Sequence, residues 1–126
     1  GYSSGGYAAC YVSTRLRCAA HLGFSIPADF SLDTELPSDF FMPRNLRALF
    51  ERRYLLDLAT VLPDSSARQR LIVGTKSRRD ASHARHLQQA GMDVVALDDC
   101  VHDTPETLIA NGELRHHLDW LFDQRA

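Results

Sequence analysis

Apolar residues recur along the chain at two periods, and the order of those periods predicts the elements. From about Tyr7 to Leu22, Ala8, Val12, Leu16 and Ala19 return at helical spacing, with Arg15 and Arg17 on other faces. Gly23 reads as the cap of that helix. Ala28-Asp29-Phe30-Ser31-Leu32 reads as a short strand that runs into a loop from Asp33 to Pro37. Phe40, Phe41 and Met42 are apolar and are expected to cover a neighbouring surface. Leu46, Leu49, Phe50, Leu55 and Leu58 predict a helix from Arg44 to about Leu62, broken by Pro63-Asp64-Ser65-Ser66.

The second half is more regular. Leu71-Ile72-Val73, inside Gln69 to Gly74, is a compact apolar run of the kind a buried parallel strand shows. Ser77 to Ala90 reads as a helix with Ala81, Ala84 and Leu87 as its inner row, ended by Gly91. Asp93 to Leu97 is a second buried strand. Thr104-Pro105-Glu106 is a helix start, with Thr as cap, Pro at the first position and an acid in the first turn. Asn111-Gly112 ends it, and Glu113 to Phe122 forms the last helix. Its Leu114, Leu118, Leu121 and Phe122 face inward, with Trp120 at the margin.

Alternation of strands and helices predicts the α/β class, a parallel sheet flanked by helices, in a single domain over residues 1–126. Three short strands make a small sheet, and a parallel sheet needs both faces and its central strands covered. The expectation is therefore an incomplete domain. A strand should lead into Gly1, supplied by a missing N-terminal half or a partner chain.

Composition narrows the function classes. A formal charge of −2 and a pI near 6.3 give no reason to expect a nucleic-acid partner. Arg44, Arg47, Arg52 and Arg53 cluster, but Glu51 and Asp57 dilute them into a solvated helix face. No run approaches the roughly 18 apolar residues of a membrane span. Cys10, Cys18 and Cys100 are odd in number and lack metal-like spacing, so reduced thiols and a cytoplasmic setting are expected. His83 and His86 stand three apart on a helix without an evident third ligand, so they read as an exposed face rather than a metal site. His116 and His117 are adjacent and read as solvated. Nothing calls for a cofactor.

The first residues carry the chemistry. Gly1-Tyr2-Ser3-Ser4-Gly5 fits G-x-S-x-G, the nucleophile elbow, and a helical pattern begins just after it, as the motif requires. The pattern has a steric reason. The serine sits at a tight strand-to-helix turn, where side chains two residues to either side would collide, so both places are glycine. Gly6, Ala8 and Ala9 then let the helix pack close to the sheet. Its N-terminus points at the reacting carbonyl, and its dipole favours developing negative charge. The backbone N–H of Ser4 is the expected oxyanion-hole donor.

At this point the chain resembles the second half of the α/β-hydrolase family. GYSSGGYAA looks like the elbow, and ADFSLDTEL like the next strand and its loop. RLIVGTKSRRDASHARHL looks like the strand before the acid, and DVVALDDCVHDTPETLIANGELRHHL like the last strand and the histidine loop. Only the elbow is a specific motif; the rest is order and spacing. The resemblance implies the order Ser, then Asp or Glu, then His. It makes Ser3 the nucleophile and His102, just past the last strand, the general base and then acid. It implies a small-molecule acyl substrate, and a second oxyanion donor from a loop before the elbow.

The acid is less sharply marked. The family places it a few residues after the strand that here ends at Gly74, where Thr75, Lys76 and Ser77 offer no carboxylate. Asp80 is the first acid there; it reads equally as the triad member or as a helix N-terminal residue favoured by the dipole. Asp33, after the preceding strand, is the alternative acid. Two other readings stand beside the hydrolase: a non-catalytic scaffold domain with a degraded triad, and a phosphate site at the Gly-rich turn. The latter lacks the Lys-Ser/Thr end of a P-loop.

Overall fold

The computed structural model describes residues 1–35 and 56–123. Three parallel strands form one sheet in the order β1 (Ala20–Phe24), β2 (Arg68–Gly74), β3 (Asp93–Leu97). Among the described residues four helices flank it: α1 (Ser3–Arg15), α2 (Arg78–Gln89), α3 (Thr104–Asn111) and α4 (Leu114–Phe122). The register sets Gly23 beside Leu71 and Leu71 beside Val94, with Phe24, Ile72 and Val95 in the next row. The α/β class expected from the alternation is what the chain adopts.

Period-two alternation on β2 divides the core. Leu71 and Val73 face one side, where Cys10 of α1 and Ala84 and Leu87 of α2 pack with Ile26, Leu58 and Met92. Ile72 faces the other side, with Leu22, Leu108 of α3, and Leu114, Leu118 and Leu121 of α4. Leu71 and Ile72 are fully buried and Val73 nearly so, each stabilising the fold by about 1.5–3 kcal/mol. That double covering is why this segment reads as an unbroken apolar run. Glycine punctuation also holds, with Gly91 (φ 100°) and Gly112 (φ 78°) in the left-handed region after α2 and α3.

Several local expectations are corrected. The first helix begins at Ser3 and stops at Arg15, and its buried positions are Gly6, Cys10 and Ser13. Ala8, Val12 and Leu16 are exposed, and Gly23 lies inside β1 rather than at a helix cap. Residues 20–22, expected to close that helix, belong instead to β1, where pairing with β2 overrides any local helical preference. Ala28 to Leu32 is not a strand. The sheet position is already taken by β1, and the chain passes through Pro27 into a 3-10 helix over Phe30–Glu35. β3 is an edge strand, only half buried, and Phe122 is 73% exposed instead of facing inward.

The helix expected from Arg44, its arginines, and the trio Phe40, Phe41 and Met42 lie outside the described residues, except at its end. There Leu58–Thr60 and Leu62–Asp64 form two short 3-10 turns. Among the described residues no helix is long and apolar enough to cross a membrane.

Candidate active site

Residues 1–6 form a sharp strand-to-helix turn. Tyr2 is extended (φ −127°, ψ 137°) and makes a parallel bridge to Phe24. The Gly1 nitrogen donates to the Leu22 carbonyl at 2.8 Å, and Phe24 N–H donates to the Gly1 carbonyl at 2.8 Å. Residues 1 and 2 thus run beside β1 as a parallel strand does. At Ser3 the chain turns with φ 52°, a conformation costly for any residue with a Cβ, and enters α1 at once.

The glycines divide their work differently from the expectation. A Cβ on Gly1 would stand 2.7 Å from the Gly6 Cα, and one on Gly6 would stand 2.2 Å from Ile26 Cγ2. A Cβ on Gly5 would meet nothing within 4 Å. The crowded pair is therefore Gly1 and Gly6, where the incoming strand and the helix cross, and Gly5 faces open space.

Three side chains from distant parts of the sequence meet above the sheet. Ser3 Oγ lies 3.1 Å from His102 Nε2, and His102 Nδ1 lies 2.6 Å from Asp80 Oδ2. A carboxylate can only accept, so Nδ1 carries the proton and Nε2 turns its lone pair to the serine hydroxyl. Asp80 is buried, while the His102 side chain is 39% exposed. Tyr2 closes one side of the imidazole, its ring centroid 5.3 Å away. Burial pushes the Tyr2 phenol above its usual range, with Glu106, Asp80 and Asp103 adding to the effect.

Both readings of Asp80 prove compatible. It sits in the first turn of α2, its N–H bonded to the capping Ser77 Oγ at 3.2 Å, where the helix dipole favours a carboxylate. From there its side chain reaches the histidine. The carboxylate that meets His102 therefore comes not from residues 75–77 but from the helix start that follows them.

Asp33, the alternative acid, is elsewhere. Its Oδ1 meets His83 Nε2 at 2.8 Å, and Arg79 grips both its oxygens at 2.8 and 3.0 Å. Burial works to raise the Asp33 carboxyl, but the bonds from His83 and Arg79 outweigh it and hold it below the usual carboxylate range. Arg79 Nη1 also lies 3.7 Å from Asp80 Oδ1, so one guanidinium stands between the two acids.

His83 is fully buried, not on an exposed face; its Nδ1 accepts the Ala28 N–H at 2.9 Å. His86 points instead to Asp57 Oδ2 at 2.7 Å, so the two histidines share no ligand position. Asp29, Asp57 and His86 do bring ligating atoms within 4.8 Å of one another. Ser31 and Ala59 already donate to those carboxylates, and hydrogen bonds, with the His86–Asp57 contact among them, account for the group. His117 is buried, not solvated as its neighbour is.

The segment carrying His102 is anchored from two directions. A Cβ on Gly74 would come within 1.8 Å of the Val101 carbonyl oxygen, so only glycine lets residues 100–101 lie against the end of β2. Lys76 N–H donates to the Cys100 carbonyl at 3.0 Å there. On the far side, Ser25 Oγ donates to the His102 carbonyl at 2.9 Å and lies 3.0 Å from Thr104 Oγ1. Thr104 is the first residue of α3 rather than its cap, and its hydroxyl is spent on Ser25. Sequence reasoning missed Ser25. Its signal is faint: a serine immediately before Ile-Pro, where a strand ends.

No family model matches the chain, and no curated protein matches it.

Proposed function

We propose that this chain carries the catalytic residues of a serine hydrolase that cleaves an ester or similar acyl bond. The observation that supports the reading is the relay Asp80–His102–Ser3, at 2.6 and 3.1 Å, ending on a serine held at φ 52°. Ser3 Oγ attacks the substrate carbonyl as its proton passes to His102 Nε2. Asp80 keeps the imidazole in the required tautomer and stabilises the imidazolium that forms. The oxyanion falls at the start of α1, where the Ser4 N–H lies in the first helical turn, is not used within the helix and is available to it. The tetrahedral intermediate collapses, His102 returns the proton to the leaving alcohol or amine, and the acyl group rests on Ser3. Water, activated by the same histidine, releases the acid.

The reading includes a second oxyanion donor from another segment, the loop that the α/β-hydrolase resemblance assigns to this role. Losing one such donor costs about 100- to 1,000-fold in rate, so residues 1–126 alone are expected to be nearly inactive. It also includes a small-molecule acyl substrate and, from the free thiols of Cys10, Cys18 and Cys100, a reducing cytoplasmic setting. The test is covalent. A fluorophosphonate should label the intact protein at Ser3, and Ser3→Ala should abolish labelling. Labelling that survives Ser3→Ala, or a wild-type protein inert to the probe and to a broad ester panel, refutes the assignment.

A further inference from the structure

Among the described residues, two that are not glycine hold a positive φ: Ser3 at 52° and Ser25 at 49°. The first is the candidate nucleophile. The second follows the last residue of β1 and is fully buried. Its N–H bonds the Ile72 carbonyl at 2.9 Å, extending the β1–β2 pairing by one residue. Extended backbone would place its side chain on the same face as Gly23. The positive φ takes it out of that alternation, and the hydroxyl reaches the segment leading into α3. There it meets the His102 carbonyl at 2.9 Å and Thr104 Oγ1 at 3.0 Å. One hydroxyl carries one proton. Ser25 donates to His102, so Thr104 donates to Ser25, and the three groups form a single directed chain.

Glycine would adopt this backbone without strain, so the conformation alone does not call for serine. The hydroxyl supplies what glycine lacks, a buried donor aimed at the main chain of the histidine. Strained positions gather where a fold holds functional groups in place, and the inference runs from the observed outlier to its role.

We propose that Ser25 is a positioning residue for His102: through the His102 carbonyl it fixes the height of the imidazole above Ser3. The proposal rests on the serine-hydrolase reading of the site. His102 is gripped by its ring at Ser3 and Asp80, and by its main chain at Ser25. With the Ser25 hydroxyl absent, that segment is still held from β2 at Gly74 and Lys76 and from α3 by Thr107 on Cys100 and Asp103, but nothing among the described residues bonds the His102 carbonyl itself from β1. A misplacement near 1 Å costs about 100-fold in a proton-transfer geometry.

The decisive variant is Ser25→Gly, because it keeps the backbone conformation and removes only the hydroxyl. In the intact protein its melting temperature should match or exceed that of wild type. Its kcat on an ester, and its rate of fluorophosphonate labelling, should fall about 10- to 100-fold with KM unchanged. Thr104→Val, which leaves Ser25 untouched but removes its donor, should give the same split in weaker form. The low-field proton of the His102–Asp80 hydrogen bond, followed by NMR, should shift or broaden in both variants; this readout needs no turnover. Wild-type kcat and an unmoved proton signal in Ser25→Gly would overturn the proposal and leave Ser25 a turn residue. If Ser25→Gly fails to fold, Thr104→Val decides in the same way. A wild-type protein that does not label at Ser3 refutes the hydrolase reading instead, and the NMR signal still judges Ser25.

Discussion

Replacing Gly74 with alanine tests whether the end of β2 sets the position of the histidine. The added Cβ would stand 1.8 Å from the Val101 oxygen, 2.5 Å from the Cys100 oxygen and 2.7 Å from the Cys100 carbon. All three are backbone atoms, so no side chain can swing aside. Reaching an ordinary contact of 3.4 Å requires the segment to withdraw by about 1.6 Å. His102 is the next residue and must follow. Its Nε2, now 3.1 Å from Ser3 Oγ, would then stand well outside hydrogen-bonding range. Overpacking of this kind costs about 1–3 kcal/mol of stability. The displacement should lower labelling of Ser3 by at least about 100-fold. The assay is the second-order rate of fluorophosphonate labelling, read beside a denaturant melt to establish that the variant is folded. A folded Gly74→Ala protein that labels at the wild-type rate would show that the histidine does not depend on this contact, and the positional argument would fail.

Four further outcomes follow. Asp80→Asn should reduce turnover by about 10,000-fold with little loss of stability, since the wrong tautomer is then held at His102. Asp33→Asn should do the reverse, costing about 3–5 kcal/mol by removing the buried carboxylate that His83 and Arg79 both bond, while the relay to Ser3 stays whole; parallel kinetics and melts separate the two. Gly5→Ala should be tolerated or slightly stabilising, and Gly6→Ala destabilising, because the new methyl group meets open space in one case and Ile26 in the other; equal melting temperatures would contradict this. His21 is buried, neither ring nitrogen makes a well-formed hydrogen bond among the described residues, and burial lowers its pKa to about 4 from 6.5. Its neutral form is the folded form, so its contribution is complete above pH 6.5 and drains away as the pH falls towards about 4, amounting to about 3 kcal/mol. His21→Leu should flatten the stability profile across that window; an unchanged slope would mean the histidine is not protonated on unfolding.

What the sequence disclosed, and what it withheld, follows from the range of the forces involved. β2 and α2 are legible because their signals are local: an apolar run for Leu71-Ile72-Val73, and a serine cap with a closing glycine for residues 77–91. The elbow is legible because its backbone angle demands small neighbours, though the motif misassigned one of them, Gly5 for Gly6. β1 is not legible, because Ala20 to Phe24 becomes a strand only through pairing with residues nearly fifty positions away. The same holds for His83, whose burial depends on Asp33 and the Ala28 N–H, neither of them near it in sequence. Asp80 was visible as an acid at a helix start. That its carboxylate also reaches His102 depends on the withdrawn path of residues 98–103, which no local pattern encodes.

Two of the imidazole–carboxylate couples among the described residues, His83–Asp33 and His102–Asp80, differ in how far solution can reach them. In the His83–Asp33 couple both side chains are 1% exposed, and the main chain has already taken the second nitrogen of the ring. That imidazole is a rivet: it is sealed from water, and no reagent in solution reaches it without the wall around it opening. In the His102–Asp80 couple the acid is walled in and the base is not. Reagents that modify imidazoles from solution should therefore find the second couple and pass over the first, although a list of residue types would not tell them apart.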